Sequence, residues 1–372
     1  MKIGVPREIK NHEYRVGLTP SSVRELRFNG HDVLIETAAG AGIGVSDDDY
    51  QAAGASIADS AKAVFDAADM IVKVKEPQPD ECRMLRRGQV LFTYLHLAPD
   101  PEQAKLLVES GATAIAYETV TGPNNSLPLL SPMSEVAGRL SVQAGARCLE
   151  KEAGGAGVLL GGVPGVPAAH VVVIGGGVVG TNAIRMAMGM EAQVTVLDRS
   201  LKRLQELDFQ FGGRLNTIYS TRDALEHYSS IADLLIGAVL IPGASAPKLV
   251  SREMIRNMKP ASVVVDVAID QGGCFETSRP TTHSDPTYVV DDVVHYCVAN
   301  MPGAVPRTSA FALNNATLPF VLAIANRGWR QAMADDAHLL NGLNVHDGRI
   351  TFQAVAEALG HEYLPAADAL RT

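Results

Sequence analysis

The stretch VVVIGGGVVG at 171–180 constrains this chain more than any other. Four apolar residues read as a buried strand. Gly175, Gly177 and Gly180 follow in G-x-G-x-x-G spacing, ahead of an apolar, helix-like segment. The first glycine permits a tight turn and the second lets backbone approach a pyrophosphate. The third lets helix and strand pack closely, with the helix N-terminus facing the phosphates. Alone the motif is weak. Here QVTVLD supplies a second strand, and its last residue, Asp198, lies eighteen residues beyond Gly180. A carboxylate at that place is set to hydrogen-bond the adenosine ribose hydroxyls of NAD and would repel the 2′-phosphate of NADP. Arg199 and Arg203 pull the other way, because either can bind a 2′-phosphate, stack on adenine or sit on a solvated helix face. The acid at the strand end outweighs them, so NAD is the expected cofactor. Ser220 ends the next strand and is either a contact to adenine or its ribose or an exposed strand-end serine.

A chain of 372 residues suits two domains. Hydrophobic residues make up 47%, charged residues 20%, and mean hydropathy is +0.08, the balance of a well-buried globular chain. The net charge of −9, with no dense basic run, argues against nucleic acid or an anionic membrane as partner. Cys82, Cys148, Cys274 and Cys297 are scattered and form no C-x-x-C, which fits reduced thiols in a cytoplasmic enzyme. The N-terminus lacks a signal-peptide core, and no run of about 18 uninterrupted apolar residues reads as a membrane span. The ten histidines show neither H-x-x-x-H nor H-E-x-x-H spacing, so no metal site is expected.

The expected fold class is α/β. The first 120 residues alternate strand-like runs (KIGVP, DVLIE, DMIVKVK, QVLFTYL, TAIAY) with amphipathic segments. One of these has Thr19 as N-cap, Pro20 at the first helical position and Gly30 just past its end. Such alternation argues for a largely parallel sheet. TGPNNSLPLLSP at 121–132 breaks the pattern, 134–150 reads as a helix between domains, and 154–167 as a Gly/Pro-rich loop. From 171 onward VVVI, VTVL, NTIYS, ADLLIGAV, SVVVDVA, TYVV and YCVAN read as strands, and 178–189, 201–211 and 251–258 as helices. The count matches a full dinucleotide fold. Residues 308–326 return to helix, with Pro319 expected to kink it. The expected domains are therefore 1–130, a Rossmann domain at 131–305, and 306–372 returning to the first, Rossmann-like domain. Cofactor and substrate are expected in the cleft between the two.

A Rossmann domain names a cofactor and leaves the reaction open. Lys75 in IVKVKEP and His96 in FTYLHLAP stand at the ends of strands, where sites form in parallel sheets. Lys75 reads equally as a solvated lysine and His96 as a structural histidine. Lys73 and Lys75 are expected on one face by period two. Arg15 in NHEYRVGLTP can clamp a small carboxylate or sit on the surface. Asp266 and Asp270 both read as turn or capping residues, but Asp270 lies past the strand end, which favours a functional role. Asn300, Met301 and Pro302 lie where the chain leaves the cofactor domain.

Together these blocks closely resemble the NAD-linked alanine dehydrogenases. The resemblance runs through GVPREIKNHEYRVGLTP, IVKVKEP, LFTYLHLAP, AYETV, SPMSEVAGRL, GGVPGV, GGGVVG, VAIDQGGCFETSRPTT and VANMPGAVPRTSA, over nearly the whole chain. It implies reversible oxidative deamination of L-alanine to pyruvate and ammonium, with room for glyoxylate as a second oxo acid. It implies that Arg15 and Lys75 hold the substrate's carboxylate and carbonyl oxygens, and that His96 and Asp270 transfer protons. Met133 and Asn300 would shape the pocket. Ser134, Gly177, Asp198, Arg203 and Ser220 would contact NAD. Gly175, Val178, Val179, Gly180, Val239, Leu240, Val267 and Met301 complete the cofactor set, which also counts Asp270 and Asn300. A homohexamer is implied. The same fold family includes the NAD(H)-binding part of nicotinamide nucleotide transhydrogenase, the alternative reading. A non-catalytic NAD-binding protein, the third, would lack Lys75, His96 and Asp270.

Overall fold

Short β-branched runs build two separate sheets in the computed structural model, which describes residues 1–239 and 246–371. The chain divides into two units, Met1–Met133 with Val305–Thr372, and Ser134–Ala304. In the first, strands β1 (Lys2–Val5), β2 (Asp32–Glu36), β3 (Ser56–Ala58), β4 (Met70–Val72), β5 (Val90–Thr93) and β6 (Thr113–Ala116) run parallel. Their order is β6-β5-β4-β1-β2-β3. The second unit contributes β7 (His170–Ile174), β8 (Gln193–Asp198), β9 (Leu215–Tyr219), β10 (Leu234–Gly237), β11 (Val263–Asp266), β12 (Thr287–Val290) and β13 (Val293–Tyr296). Their order is β12-β13-β11-β10-β7-β8-β9, with only β12 antiparallel to its neighbour. Each sheet reverses its winding once, between β4 and β1 in the first unit and between β10 and β7 in the second. The loops leaving the strands at such switch points are where α/β folds build sites.

The helices begin where the sequence supplies caps. Ser200 accepts from the Arg203 amide, Thr221 from Ala224 and Asp100 from Gln103. Pro20–Phe28 starts with Thr19 at the N-cap and ends before Gly30 in the left-handed region. Val178–Gly189 and Leu201–Phe211 fall where the apolar pattern puts them. Val64, Phe65, Ile71, Leu91, Leu107 and Ala114 centre the core of the first unit. Val172, Leu235, Val264, Ile255 and Phe275 centre that of the second.

Several expectations need correction. YCVAN is placed too late: β13 is Val293–Tyr296 and shares only Tyr296 with it, and Val298 makes only a single bridge to Thr281. β3 went unread, as did the hairpin β14 (Leu343–His346) and β15 (Arg349–Ile350), which extends the first sheet antiparallel beyond β6. β4 ends at Val72, so period two does not reach Lys73 and Lys75, and the two have different surroundings. The helix Pro306–Arg327 runs on past Pro319. By length and composition it is apolar enough to cross a membrane. Yet Leu313, Val321 and Ile324 are buried, and Asn314 Oδ1 accepts from the Thr19 amide and the Ser22 hydroxyl. Those contacts make it a core helix of the first unit.

Candidate active site

In the first unit the loops after β1, β4, β5 and β6 carry the polar groups. Arg15 is 2% exposed, and burial alone would weaken its charge. Glu13 reverses this by taking a bidentate grip, Nε to Oε1 and Nη2 to Oε2, both at 2.6 Å, which raises the Arg15 pKa. Nη1 lies 3.1 Å from Met133 Sδ, on the helix Ser131–Cys148. Tyr94 is an electrostatic neighbour of Arg15. Its hydroxyl donates to Leu129 O at 2.6 Å, and its ring stacks on His96 with centroids 5.8 Å apart and planes within 8°. Met133, Arg15, Tyr94 and His96 thus form one chain of neighbours. Lys75 joins through the same strand end, since Thr93 Oγ1 donates to Lys75 O at 2.9 Å. Its ammonium stands 3.8 Å from Glu76 Oε2.

Two carboxylates that sequence reasoning passed over hold these loops. Glu118 accepts the His96 amide at 2.6 Å and the Leu95 amide at 3.2 Å. His96 itself has φ +48°, a left-handed backbone that non-glycine residues rarely adopt. Its Nδ1 faces Glu118 Oε1 at 3.9 Å, and the imidazole is 44% exposed. Glu8 reaches from the end of β1 to accept the Val74 amide at 2.7 Å and the Lys75 amide at 3.4 Å. Its other oxygen meets Lys73 Nζ at 3.0 Å, and Lys73 also binds Glu81 at 2.7 Å. Lys73 has no exposed surface. Burial works against its charge, but the two carboxylates more than offset this and raise its pKa. Burial pushes Glu8 up, with Lys73 opposing. No local pattern announces such a triad, whose Glu8–Lys73 pair spans 65 residues.

In the second unit the glycine turn is built to admit a ligand. Gly175 adopts φ +97°. A Cβ on Gly180 would fall 1.8 Å from Gly175 O, so that position must be bare for the helix to meet the strand. A Cβ on Gly177 would meet nothing within 4 Å, which leaves open space above the turn. The intervening peptide is clamped on both sides. Gly176 N donates to Asp198 Oδ2 at 2.7 Å, and Arg203 Nε donates to Gly176 O at 2.6 Å. Arg203 Nη2 also reaches Thr181 Oγ1 at 2.6 Å. Arg203 is therefore tied into the turn. Asp198 Oδ1 accepts Ser200 N at 2.8 Å, and Ser220 N donates to Asp198 O at 2.9 Å. Each Asp198 oxygen keeps further lone-pair capacity for ribose hydroxyls. These residues fit NAD.

Val179 is buried and Val178 half exposed at the start of that helix. Ser134 lies in the first turn of Ser131–Cys148. Val239 follows β10, and its carbonyl faces Cys274 Sγ at 3.8 Å. Leu240 lies outside the described residues. Val267 and Asp270 share the 3₁₀ turn Val267–Gln271 after β11, where Asp270 is exposed. Asn300 has φ +62°, its carbonyl faces His283 Nε2 at 3.1 Å, and Met301 beside it is buried. The structure thus gathers the glycine turn with Asp198, Arg203 and Ser220, and sets Asp270 and Asn300 on separate loops.

A doubly wound sheet with an open glycine turn and a strand-end acid defines a dinucleotide-binding protein. Residues 4–137 match the model of the alanine dehydrogenase/PNT N-terminal domain, and residues 141–353 that of its C-terminal domain. Over 367 residues the chain is 64% identical to the alanine dehydrogenase of Halomonas elongata, covering 99% of each chain. The solved structure of an L-alanine dehydrogenase superposes with a TM-score of 0.95 at 55% identity, over 97% of this chain and 99% of that one. A transhydrogenase from Sinorhizobium meliloti superposes at 0.82 and 26% identity, over 95% and 100%. The chain belongs to the alanine dehydrogenase/PNT family, and it stands nearer the alanine dehydrogenases than this transhydrogenase.

Proposed function

We infer that this chain catalyses the reversible, NAD-dependent oxidative deamination of L-alanine to pyruvate and ammonium. The observation that carries the reading is the row Met133–Arg15–Tyr94–His96, a cation beside a proton-transferring group, in a chain that also holds the clamped glycine turn. Bound NAD supplies the acceptor for the hydride that leaves the α-carbon.

Arg15, fixed by Glu13, binds the substrate carboxylate. Lys75 binds the carbonyl oxygen in the reverse direction and polarises it. Loss of hydride leaves an iminium carbon, to which water adds with loss of a proton. Collapse of that adduct releases ammonia and forms the carbonyl. His96 and Asp270 take and return these protons, and an imidazole suits the task near neutral pH. Met133 and Asn300 shape the pocket. Ser134, the Gly175–Gly180 turn, Asp198, Arg203, Ser220, Val239, Val267 and Met301 form the cofactor side, with Asp270 and Asn300 in both sets. The family resemblance supports a homohexamer, and the four free cysteines, all buried, support a cytoplasmic location.

The test is oxidation of NADH with pyruvate, with and without ammonium. Ammonium-dependent oxidation is expected, with NADPH a poor substitute. Oxidation without ammonium would make the chain a hydroxy-acid dehydrogenase. Hydride exchange between NADH and an NADP analogue, without alanine chemistry, would favour the transhydrogenase reading.

A further inference from the structure

Asp266 ends β11 and has no exposed surface, yet nothing in the reaction uses it. Its carboxylate gathers donors from a loop that leaves the strand and returns. Oδ1 accepts the Ala268 amide at 3.2 Å. Oδ2 accepts the Cys274 amide at 2.8 Å, the Phe275 amide at 3.4 Å and the Ser278 hydroxyl at 2.5 Å. Between these anchors lies the turn Val267–Gln271 that carries Asp270. The return passes so close that a Cβ on Gly273 would stand 2.5 Å from Asp266 Oδ2, and Gly273 has φ +80°. The carbonyls of the same loop are gathered separately. Lys248 Nζ donates to Gly272 O and Phe275 O, Leu249 N to Cys274 O at 2.8 Å, and Ala246 N to Gln271 O at 2.8 Å.

We propose that Asp266 is the positioning residue of the Asp270 turn. It fixes where the Asp270 carboxylate stands and touches neither substrate nor cofactor. Four donors converge on it, and three of them are backbone amides that cannot accept and that divide between its two oxygens, so the site demands a carboxylate. An asparagine would keep one oxygen and turn an amide –NH₂ toward N–H groups, which opens the loop while keeping the volume. The proposal rests on the reading that Asp270 transfers protons in alanine chemistry.

The test compares Asp266→Asn and Ser278→Ala with the unaltered enzyme. Asp266→Asn is expected to lower kcat per bound NADH about ten- to a hundred-fold, as displaced catalytic groups do, with weaker NADH binding because Val267 and Asp270 share the turn, and with the melting temperature little changed. Ser278→Ala keeps the carboxylate and removes one donor, so kcat falls only about two- to five-fold. Amide hydrogen exchange across 267–278 should quicken in Asp266→Asn while β10 stays protected, a readout independent of activity. A folded Asp266→Asn enzyme with unchanged kcat overturns the proposal. So does a fall in melting temperature in step with kcat, which would mark a general structural role. Absence of alanine chemistry in the unaltered enzyme would remove Asp270's role, whereas unchanged exchange would remove the anchoring itself.

Discussion

Replacing Lys73 by methionine removes the one cation between two buried carboxylates. The ammonium lies 3.0 Å from Glu8 and 2.7 Å from Glu81, and both acid side chains are 2% exposed. Methionine fills most of the volume, so the cavity contributes little. Breaking a buried pair from one side costs about 3–5 kcal/mol. At about 2–4 °C per kcal/mol for domains of this size, melting should fall by roughly 6–20 °C. The loss should also depend on pH. Burial already pushes the Glu8 carboxyl above its ordinary value, and Lys73 is the largest opposing influence. Without Lys73 the carboxyl rises further. A folded-state carboxyl above its unfolded value holds a proton that the unfolded chain releases. Its contribution is therefore fully present below the unfolded pKa and is lost as pH rises through the folded value, at about 1.4 kcal/mol per pH unit. The variant's deficit should be large near about pH 8 and shrink toward about pH 5. Trp329, the single tryptophan, lies in the same unit and reports its unfolding by fluorescence. Adding Glu81→Gln removes one of the stranded charges and should restore part of the loss. A deficit under about 1 kcal/mol, or one that is equal at both pH values, would refute the reasoning.

Three further expectations follow from the same geometry. Glu118→Ala frees the amides of Leu95 and His96, and relaxation of His96 from its left-handed backbone should lower kcat about ten-fold with little change in NADH binding; equal kcat would show that the clamp is dispensable. Arg203→Ala unties Gly176 O and Thr181 and should weaken NADH binding about ten- to a hundred-fold, read by NADH fluorescence titration, with kcat at saturating NADH retained. Burial lowers the pKa of His170, His295 and His346, so the folded state resists protonation. Their contribution is full above the unfolded value, near 6.5, and is lost as pH falls through that value toward the folded one, so the melting temperature should drop on acidification below about pH 6.5. In that series His295→Gln should flatten the slope, because His295 is fully buried between Thr277 Oγ1 and Val293 O.

What could be read in the sequence was what sits in runs. β7, β8 and β11 are near-continuous stretches of β-branched residues, and the helices after β7 and β8 carry apolar periodicity and start signals, so type and place followed. β14 and β15, LNVH and RI, are too short and polar to announce themselves. They become strands because β6 offers an edge. The same contrast holds in the site. Lys75, His96, Asp198 and Asp270 could be singled out because each stands at or just past the end of a visible strand. Glu8, Glu118 and Asp266 could not, since each acts on amides 66, 22 or 8 residues away in sequence. Yet they share one logic with Asp198. A loop at the C-terminal end of a parallel strand has backbone N–H groups with no ladder to join, and burying them unpaired costs about 1–3 kcal/mol each. A carboxylate at or just past a strand end satisfies two or more such amides at once and fixes the loop. Glu8 does so beside Lys75, Glu118 beneath His96, Asp198 at the glycine turn and Asp266 around Asp270. Each proposed functional loop is thus held by an acid at or just past a strand end, supplied from another strand in every case but the Asp270 turn, which Asp266 holds from its own strand. A loss of function from changing one of these acids, with the chain still folded, is therefore expected even where the acid never meets a ligand.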